Sequence, residues 1–334
     1  MSWSDNVRER AHILHQQIAT VRAWSIDAGA NDTDIEGLVA PYYQLLGDLY
    51  EQDFPLAVAA DNSDLVVRAE GPAVDAGAPS LSLVTNLFGE FRKEVHRITK
   101  SIVGLSDRRY FRLPPEFDLR LGGVAKGSLI MGFKVGRPLG DERGDNLLLF
   151  GPEDPLYIGV RDAVRDLASV TRFISDEGVS EEINEQFPDP GVRDTVLVSA
   201  HRIAPNGRRG ITAISLYGPK TVEGSPGVLT TISKQVLFRS LSHPEKVSGT
   251  GTFSGTVREI DLDARRFEIR GEAGALVIRC VYANETSARA HHILNKKVSV
   301  HGKYENSKDG RPRLLFVERL EVIEAAPAEN QTTF

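Results

Sequence analysis

The sequence is poor in residues that build covalent or metal-stabilised folds. It contains a single cysteine, Cys280, in 334 residues, which excludes an intrachain disulfide framework and any zinc site built from several cysteines. A lone thiol fits a reducing compartment. None of the eight histidines lies in an HExxH motif or pairs with cysteine at zinc spacing. We therefore expect no metal site and no cofactor.

Long apolar runs and an overall basic charge are also lacking. No segment approaches the roughly 18 apolar residues that a membrane span needs, and the charged N-terminal sequence has no apolar signal core. We expect a cytoplasmic protein without membrane contacts, and the Arg- and Ala-rich composition suggests a bacterial one. The net charge of -6 argues against a uniformly basic protein but allows a local basic face.

Signatures of catalysis are missing as well. The sequence has no GxSxG elbow, no dinucleotide fingerprint and no kinase-type motif set. The stretch 122–128, GGVAKGS, is glycine-rich, but its Lys-Gly-Ser order and the strand pattern after it do not fit a phosphate-binding loop before a helix. A hairpin connection is the better interpretation, although Lys126 remains a candidate binding residue. The sequence leaves catalysis open and offers no catalytic residue.

The patterns that are present predict a multi-domain α+β fold. Residues 117–135 alternate apolar and polar positions on both sides of glycine-rich 122–127, which predicts an antiparallel hairpin with one buried face. Apolar residues in 81–102 follow spacings of 3 and 4 and predict a helix. Residues 54–60 and 65–70 flank a turn-rich tetrapeptide and predict a second hairpin. Together they predict a small antiparallel sheet covered by one helix.

Helices are predicted on both sides of this sheet region. Residues 7–21 and 31–49 predict an amphipathic αα-hairpin. Its apolar faces favour packing within the protein, with dimerisation as the alternative interpretation. In the second of these helices we expect Pro41 to cause a kink or mark a later start. Residues 156–174 and 191–203 predict two more helices, and 211–217 a strand. The side chains expected to point inward in the second helix are Ile35, Leu38, Tyr42, Leu45, Leu46 and Leu49.

After a predicted linker at 242–251, the pattern becomes rich in strands. Five alternating segments follow, with a helix at 284–294 between the third and the fourth, and Cys280 is in phase with inward apolar residues as a packed thiol. This order resembles the OB-fold, a five-stranded barrel. The resemblance covers about 75 residues and rests on element order. The domains expected are a helical hairpin (1–52), an antiparallel α+β sheet domain (53–155), a helical or mixed segment (156–245), an OB-like barrel (250–323) and a tail (324–334).

The OB resemblance implies a candidate nucleic-acid-binding face. In that fold the outer face of strands two and three is the usual platform, which here would carry Arg266, Arg270 and Arg279, with His301 and Lys303 adjoining. Residues 250–323 contain 13 Lys and Arg against 10 Asp and Glu, whereas the rest of the chain contains 27 against 36. The face offers no aromatic side chain on which bases would stack.

The sequence therefore favours a non-catalytic binding or regulatory protein that acts through protein–protein contacts, with a partner or by self-association. One alternative is an OB-type nucleic-acid-binding protein. Another is a hydrolase whose site is assembled from scattered carboxylate and histidine side chains.

Overall fold

The computed structural model describes residues 2–75, 79–105, 113–125, 129–136, 154–218, 226–242, 247–271, 277–282 and 292–323. Lys126, the tail and most of the helix predicted at 284–294 lie outside these residues. The helices are α1 (Trp3–Asp27), α2 (Asp32–Asp48), α3 (Phe54–Asp61), α4 (Pro72–Asp75), α5 (Leu81–Ile102), α6 (Pro155–Val170), α7 (Ile183–Gln186), α8 (Pro190–Ile203) and α9 (Thr231–Ser240). The strands are β1 (Leu65–Glu70), β2 (Leu119–Ala125), β3 (Leu129–Val135), β4 (Ala213–Tyr217), β5 (Gly227–Thr230), β6 (Gly249–Asp261), β7 (Arg266–Arg270), β8 (Val277–Tyr282), β9 (Lys297–Asn306) and β10 (Pro312–Val322).

The chain divides into two compact units, each built from three separate segments. Unit 1 comprises Met1–Lys93, Pro114–Arg172 and Ala204–Thr231, and unit 2 comprises Glu94–Leu113, Phe173–Ile203 and Ile232–Phe334. The mixed class is as predicted, with N-terminal helices, an antiparallel sheet and a C-terminal five-stranded barrel. The boundaries expected near residues 52, 155 and 245 stay predictions. No described helix is long and apolar enough to cross a membrane.

Unit 1 contains a sheet of order β2-β3-β1-β4-β5 in which all neighbours are antiparallel. The predicted hairpin is confirmed, because β2 pairs with β3. The prediction of one buried face was wrong. Strand β3 is buried at every position except Lys134, because α5 packs on the face that carries Phe133 and α3 packs on the face that carries Ile130. Leu121, expected inward, is 64% exposed on the edge strand β2, next to a register shift before Gly123.

The strand predicted at 54–60 is helix α3, so that prediction was wrong. A π-helical turn, Leu49–Asp53, joins α2 to α3, and Pro55 occupies the first turn of α3, where its missing N–H costs no hydrogen bond. The following alanines favour a helix. Strand β1 forms as predicted but pairs with β3 and β4.

The N-terminal αα-hairpin is confirmed. The Ser2 hydroxyl accepts a hydrogen bond from the Asp5 amide and the Asp5 carboxylate accepts one from the Ser2 amide, which caps α1. Pro41 lies inside α2 without ending it. Leu38 and Leu45 are 50% and 53% exposed, so their predicted inward placement was wrong. The contact between the helices is a narrower stripe than the apolar pattern suggested, and its buried members are Val7, Ala11, Ile18, Val39 and Leu46.

Helix α5 also has its predicted bounds, and the division between the two units falls within it, between Lys93 and Glu94. In unit 1 the ring of Phe91 is fully buried, with its centroid 5.7 Å from that of Phe133. The first residue of the apolar pattern, Leu81, is 80% exposed, because the stripe is covered only further along the helix.

Unit 2 contains a closed barrel of order β10-β8-β7-β6-β9. Strands β10 and β8 are parallel and the other neighbours antiparallel, an arrangement consistent with the OB-like resemblance. Gly249, Thr250 and Gly251 already belong to β6, so the linker predicted at 242–251 was too long at its end. Cys280 is packed inside the barrel as predicted, and burial raises the pKa of its thiol well above the ordinary value.

We expect Phe91→Ala to lower the free energy of unfolding by about 3–5 kcal/mol, because the ring is fully buried and the substitution leaves a cavity. Chemical denaturation measures this. The matched control is Leu81→Ala on the same helix, which should cost less than about 0.5 kcal/mol at its exposed position. Equal losses for both variants would mean that the stripe of α5 is not a core.

Candidate functional site

Helix α8 lies across the outer face of the barrel in unit 2. Residues paired between neighbouring strands project to the same face of a sheet, so the strand registers define rows of side chains across β7, β8, β10 and β9. One row consists of Glu268, Arg279, Leu314 and Glu305. The next row consists of Arg266, Val281, Phe316 and Lys303. The first half of α8 binds members of both rows, and its second half lines a cavity above the second row.

The ionic part of this site is centred on Asp194 of α8, which is 4% exposed. Nε and Nη2 of Arg266 donate to its carboxylate at 2.8–3.1 Å, and Nε of Arg279 donates to Oδ2 at 2.5 Å. Burial by itself raises the pKa of Asp194, but the two guanidinium groups outweigh it and hold that pKa below the ordinary 3.8. The buried carboxylate therefore stays ionised and joins α8 to β7 and β8.

A second buried ion pair holds the same helix. Nη2 of Arg193 donates to Oε2 of Glu305 on β9 at 2.5 Å, and both side chains are almost inaccessible. Asp189 immediately precedes α8, and its carboxylate accepts hydrogen bonds from the amides of Gly191 and Val192. Two adjacent charged residues in a buried helix thus each find a partner on a different barrel strand, which fixes the rotation of α8 about its axis.

The structure separates the residues predicted to form a binding face. Arg266 and Arg279 are held by Asp194, and Arg266 also donates from Nη1 to the Ala264 carbonyl and from Nη2 to the Leu241 carbonyl. Arg270 is half-buried at the end of β7. Nδ1 of His301 lies 2.9 Å from the Thr252 hydroxyl. Lys303 is exposed and lines the cavity, whereas Lys126 lies outside the described residues. Their role in binding stays a prediction.

The cavity has a volume of about 450 Å³, within the range of small-molecule sites. We call it the α8 cavity. Its floor is the second row of the barrel face, its walls come from α8, α9 and the turn between β6 and β7, and it is lined by both apolar and charged side chains. The residues that line it include Val198, His201, Phe238, Asp263, Arg265, Arg266, Lys303, Phe316 and Glu318.

One wall of the α8 cavity carries three flat groups. The ring of Phe238 lies near both the imidazole of His201, at 6.2 Å between centroids and tilted by 37°, and the guanidinium of Arg265, at 5.2 Å from its centroid. Arg265 has a positive φ of 56°, which a turn residue with a Cβ adopts only at some energetic cost. Burial, with the nearby Lys234 and Arg266, lowers the pKa of His201 to about 4. The imidazole is therefore neutral at pH 7.

Sequence reasoning missed Asp194, His201, Phe238 and Arg265. Asp194 follows Arg193 in a helix, a pattern that is typical of a solvated face, and nothing local reveals that both are buried. His201 is one of eight histidines and has no motif around it. The signal that was available, the outward phase of Arg266 and Arg279 on neighbouring strands, placed both on the outer face of the barrel but did not indicate Asp194 as their partner.

Within the described residues, no group of three or more His, Cys, Asp and Glu side chains is placed to hold a metal ion. What the arrangement offers chemically is a cavity open to solvent, with a neutral imidazole, a partly exposed aromatic ring and cationic side chains.

We expect Asp194→Asn to destabilise the protein by about 3–5 kcal/mol, because two buried guanidinium groups lose their counter-charge. Urea denaturation at pH 7 measures this. The control is Asp162→Asn, which removes the partner of Arg165 in an exposed pair and should cost less than about 1 kcal/mol. Similar small losses in both variants would show that the Asp194 network does not stabilise the fold.

The second prediction for this site concerns His201. Its pKa of about 4 in the folded protein lies below the 6.5 of the unfolded chain, so between these values the unfolded chain binds more protons. Stability should fall as the pH drops from about 7 to 4, by at most about 3 kcal/mol from this group. His201→Gln should remove that part of the pH dependence, measured by denaturation at several pH values. The control His12→Gln, at an exposed position on α1, should retain it.

No protein-family model and no curated protein sequence matches this chain.

Proposed function

We propose that this protein acts by binding another protein, through an apolar face of α2. The observation that supports the proposal is the exposure of Leu38 and Leu45, which lie seven residues and about two helical turns apart. Residues at this spacing project from the same face of a helix, with half-buried Tyr42 between them. Single exposed apolar residues are ordinary, but an aligned set on one helix is typical of a docking surface.

The charge around this face indicates the chemistry of the partner. Between residues 23 and 67 the sequence has nine Asp and Glu residues and no Lys or Arg. Four of these acidic residues belong to α2: Asp32, Asp34, Glu36 and Asp48. Glu36 forms an ion pair with Arg22, and the others have no ion pair among the described residues. An acidic helix with an apolar stripe is complementary to a basic amphipathic segment. Two copies of α2 would repel each other, so we favour a different protein over self-association.

The nucleic-acid alternative rests on the OB-like character of the barrel. The face formed by β7 and β8, the counterpart of the usual platform, is covered by α8 of the same chain, and Arg266 and Arg279 are engaged with Asp194. Both observations weigh against a single strand lying on this face, because a strand would have to displace a helix held by buried ion pairs. The hydrolase alternative has no described group of side chains in its favour.

The test uses a labelled 20-residue amphipathic peptide of Leu and Lys, in fluorescence anisotropy at low and near-physiological salt. The wild type should bind it, more weakly at high salt, and should not bind a Leu and Glu peptide of the same pattern. The double substitution Leu38→Ser with Leu45→Ser should weaken binding by about tenfold or more, because burying each leucine contributes about 1.5–3 kcal/mol.

The matched control is Val228→Ser, which removes an exposed apolar side chain from β5 and should leave peptide affinity unchanged. Because none of these substitutions alters a charge, a lost affinity reports on the apolar face and not on general attraction to an acidic protein. Equal affinity of the double variant and the wild type would overturn the proposal.

A further inference from the structure

We propose that the α8 cavity is a binding site for a small organic monoanion with a flat apolar body, such as an aromatic carboxylate or sulfonate. This site belongs to unit 2 and involves none of the residues of α2, so the proposal does not rest on the protein-binding function.

The shape of the ligand follows from the walls. A volume of about 450 Å³ accommodates a small organic molecule of two or three rings. Phe316 from the floor and Val198 and Phe238 from the helices provide apolar surface. The ring of Phe238 lies near His201 and Arg265 and is 47% exposed, so part of it is accessible to a ligand. A flat body gains more contact with such walls than a branched one.

The charge of the ligand follows from the cations. Arg265 and Lys303 line the cavity and form no ion pair with a described carboxylate, and the guanidinium of Arg265 lies over the ring of Phe238. Lys303 lies at the end of the row that begins with Arg266, so the floor has a cation at each end and apolar side chains between. This is the pattern expected for a molecule with one charged end and an apolar body.

The remaining polar groups limit the ligand to one negative charge. Of the three cations in the lining, Arg266 is bound to Asp194, so Arg265 and Lys303 face two lining carboxylates, Asp263 and Glu318. Arg279 also binds Asp194 and lies 3.7 Å from Glu268, so the network of these four side chains is neutral and adds no charge to the cavity. The imidazole of His201 adds no charge, because burial, with Lys234 and Arg266, lowers its pKa and keeps it neutral. A dianion would meet the two lining carboxylates without a matching cation.

The experiment compares two fluorescent probes that share their rings. The anion 8-anilinonaphthalene-1-sulfonate carries one sulfonate, and N-phenyl-1-naphthylamine lacks it. We expect the wild type to bind the anion at one site and the neutral probe more weakly. Lys303→Met should weaken binding of the anion about tenfold and leave the neutral probe unchanged. Ser242→Trp, at an exposed position in the lining, should fill the cavity and abolish binding of both.

Two controls separate this site from other apolar surfaces. Lys308→Met removes an exposed lysine of the turn before β10 that does not line the cavity, and it should bind both probes like the wild type. The variant with Leu38→Ser and Leu45→Ser should also retain the site, even if it loses the peptide described above. Circular dichroism confirms that each variant is folded. Binding of the sulfonate that is unchanged in both Lys303→Met and Ser242→Trp would overturn the proposal.

Discussion

The interaction on which unit 2 depends is the pairing of one buried carboxylate, Asp194, with two guanidinium groups. A buried charge is tolerated only when it is paired, and Arg266 and Arg279 come from neighbouring strands of the barrel. Helix α8 therefore has one position in which its charge is satisfied. The Arg193–Glu305 pair adds a second constraint from another strand. With both pairs formed, the second half of α8 lies above Phe316 and Lys303, and the α8 cavity is a consequence of that placement.

The same constraint bears on what the barrel is used for. An OB-like barrel commonly presents its strand-two and strand-three face to a ligand, whereas here this face is a packing surface for a helix of the chain itself. Two of the basic residues that contribute to the barrel's excess of positive charge, Arg266 and Arg279, are the counter-charges of Asp194. The binding capacity we propose lies instead in the acidic, apolar face of α2 and in the α8 cavity.

Sequence periodicity was informative wherever one face of an element is buried. The helices α1, α5 and α8 and the barrel strands follow from apolar spacing and capping residues, and Cys280 is packed because it is in phase with Ile278 and Tyr282. The strand predicted at 54–60 was wrong, since an apolar run with one proline suits either element until its neighbours are known. Strand β3 is buried on both faces because α5 packs on one face of the sheet at this strand and α3 on the other.

The sequence alone therefore determined the mixed fold class, the five-stranded C-terminal pattern and the outward phase of the arginines on β7 and β8. These features depend on spacing along the chain, which local backbone geometry converts directly into faces. Tertiary structure decided which segments form each unit, that Leu38 and Leu45 remain exposed, and that Arg266 and Arg279 meet Asp194. Such outcomes depend on contacts between residues about 72 and 85 positions apart in the case of Asp194. No local pattern specifies which of many charged side chains will be buried together, because the cost of burial and the gain from pairing arise only once distant segments pack.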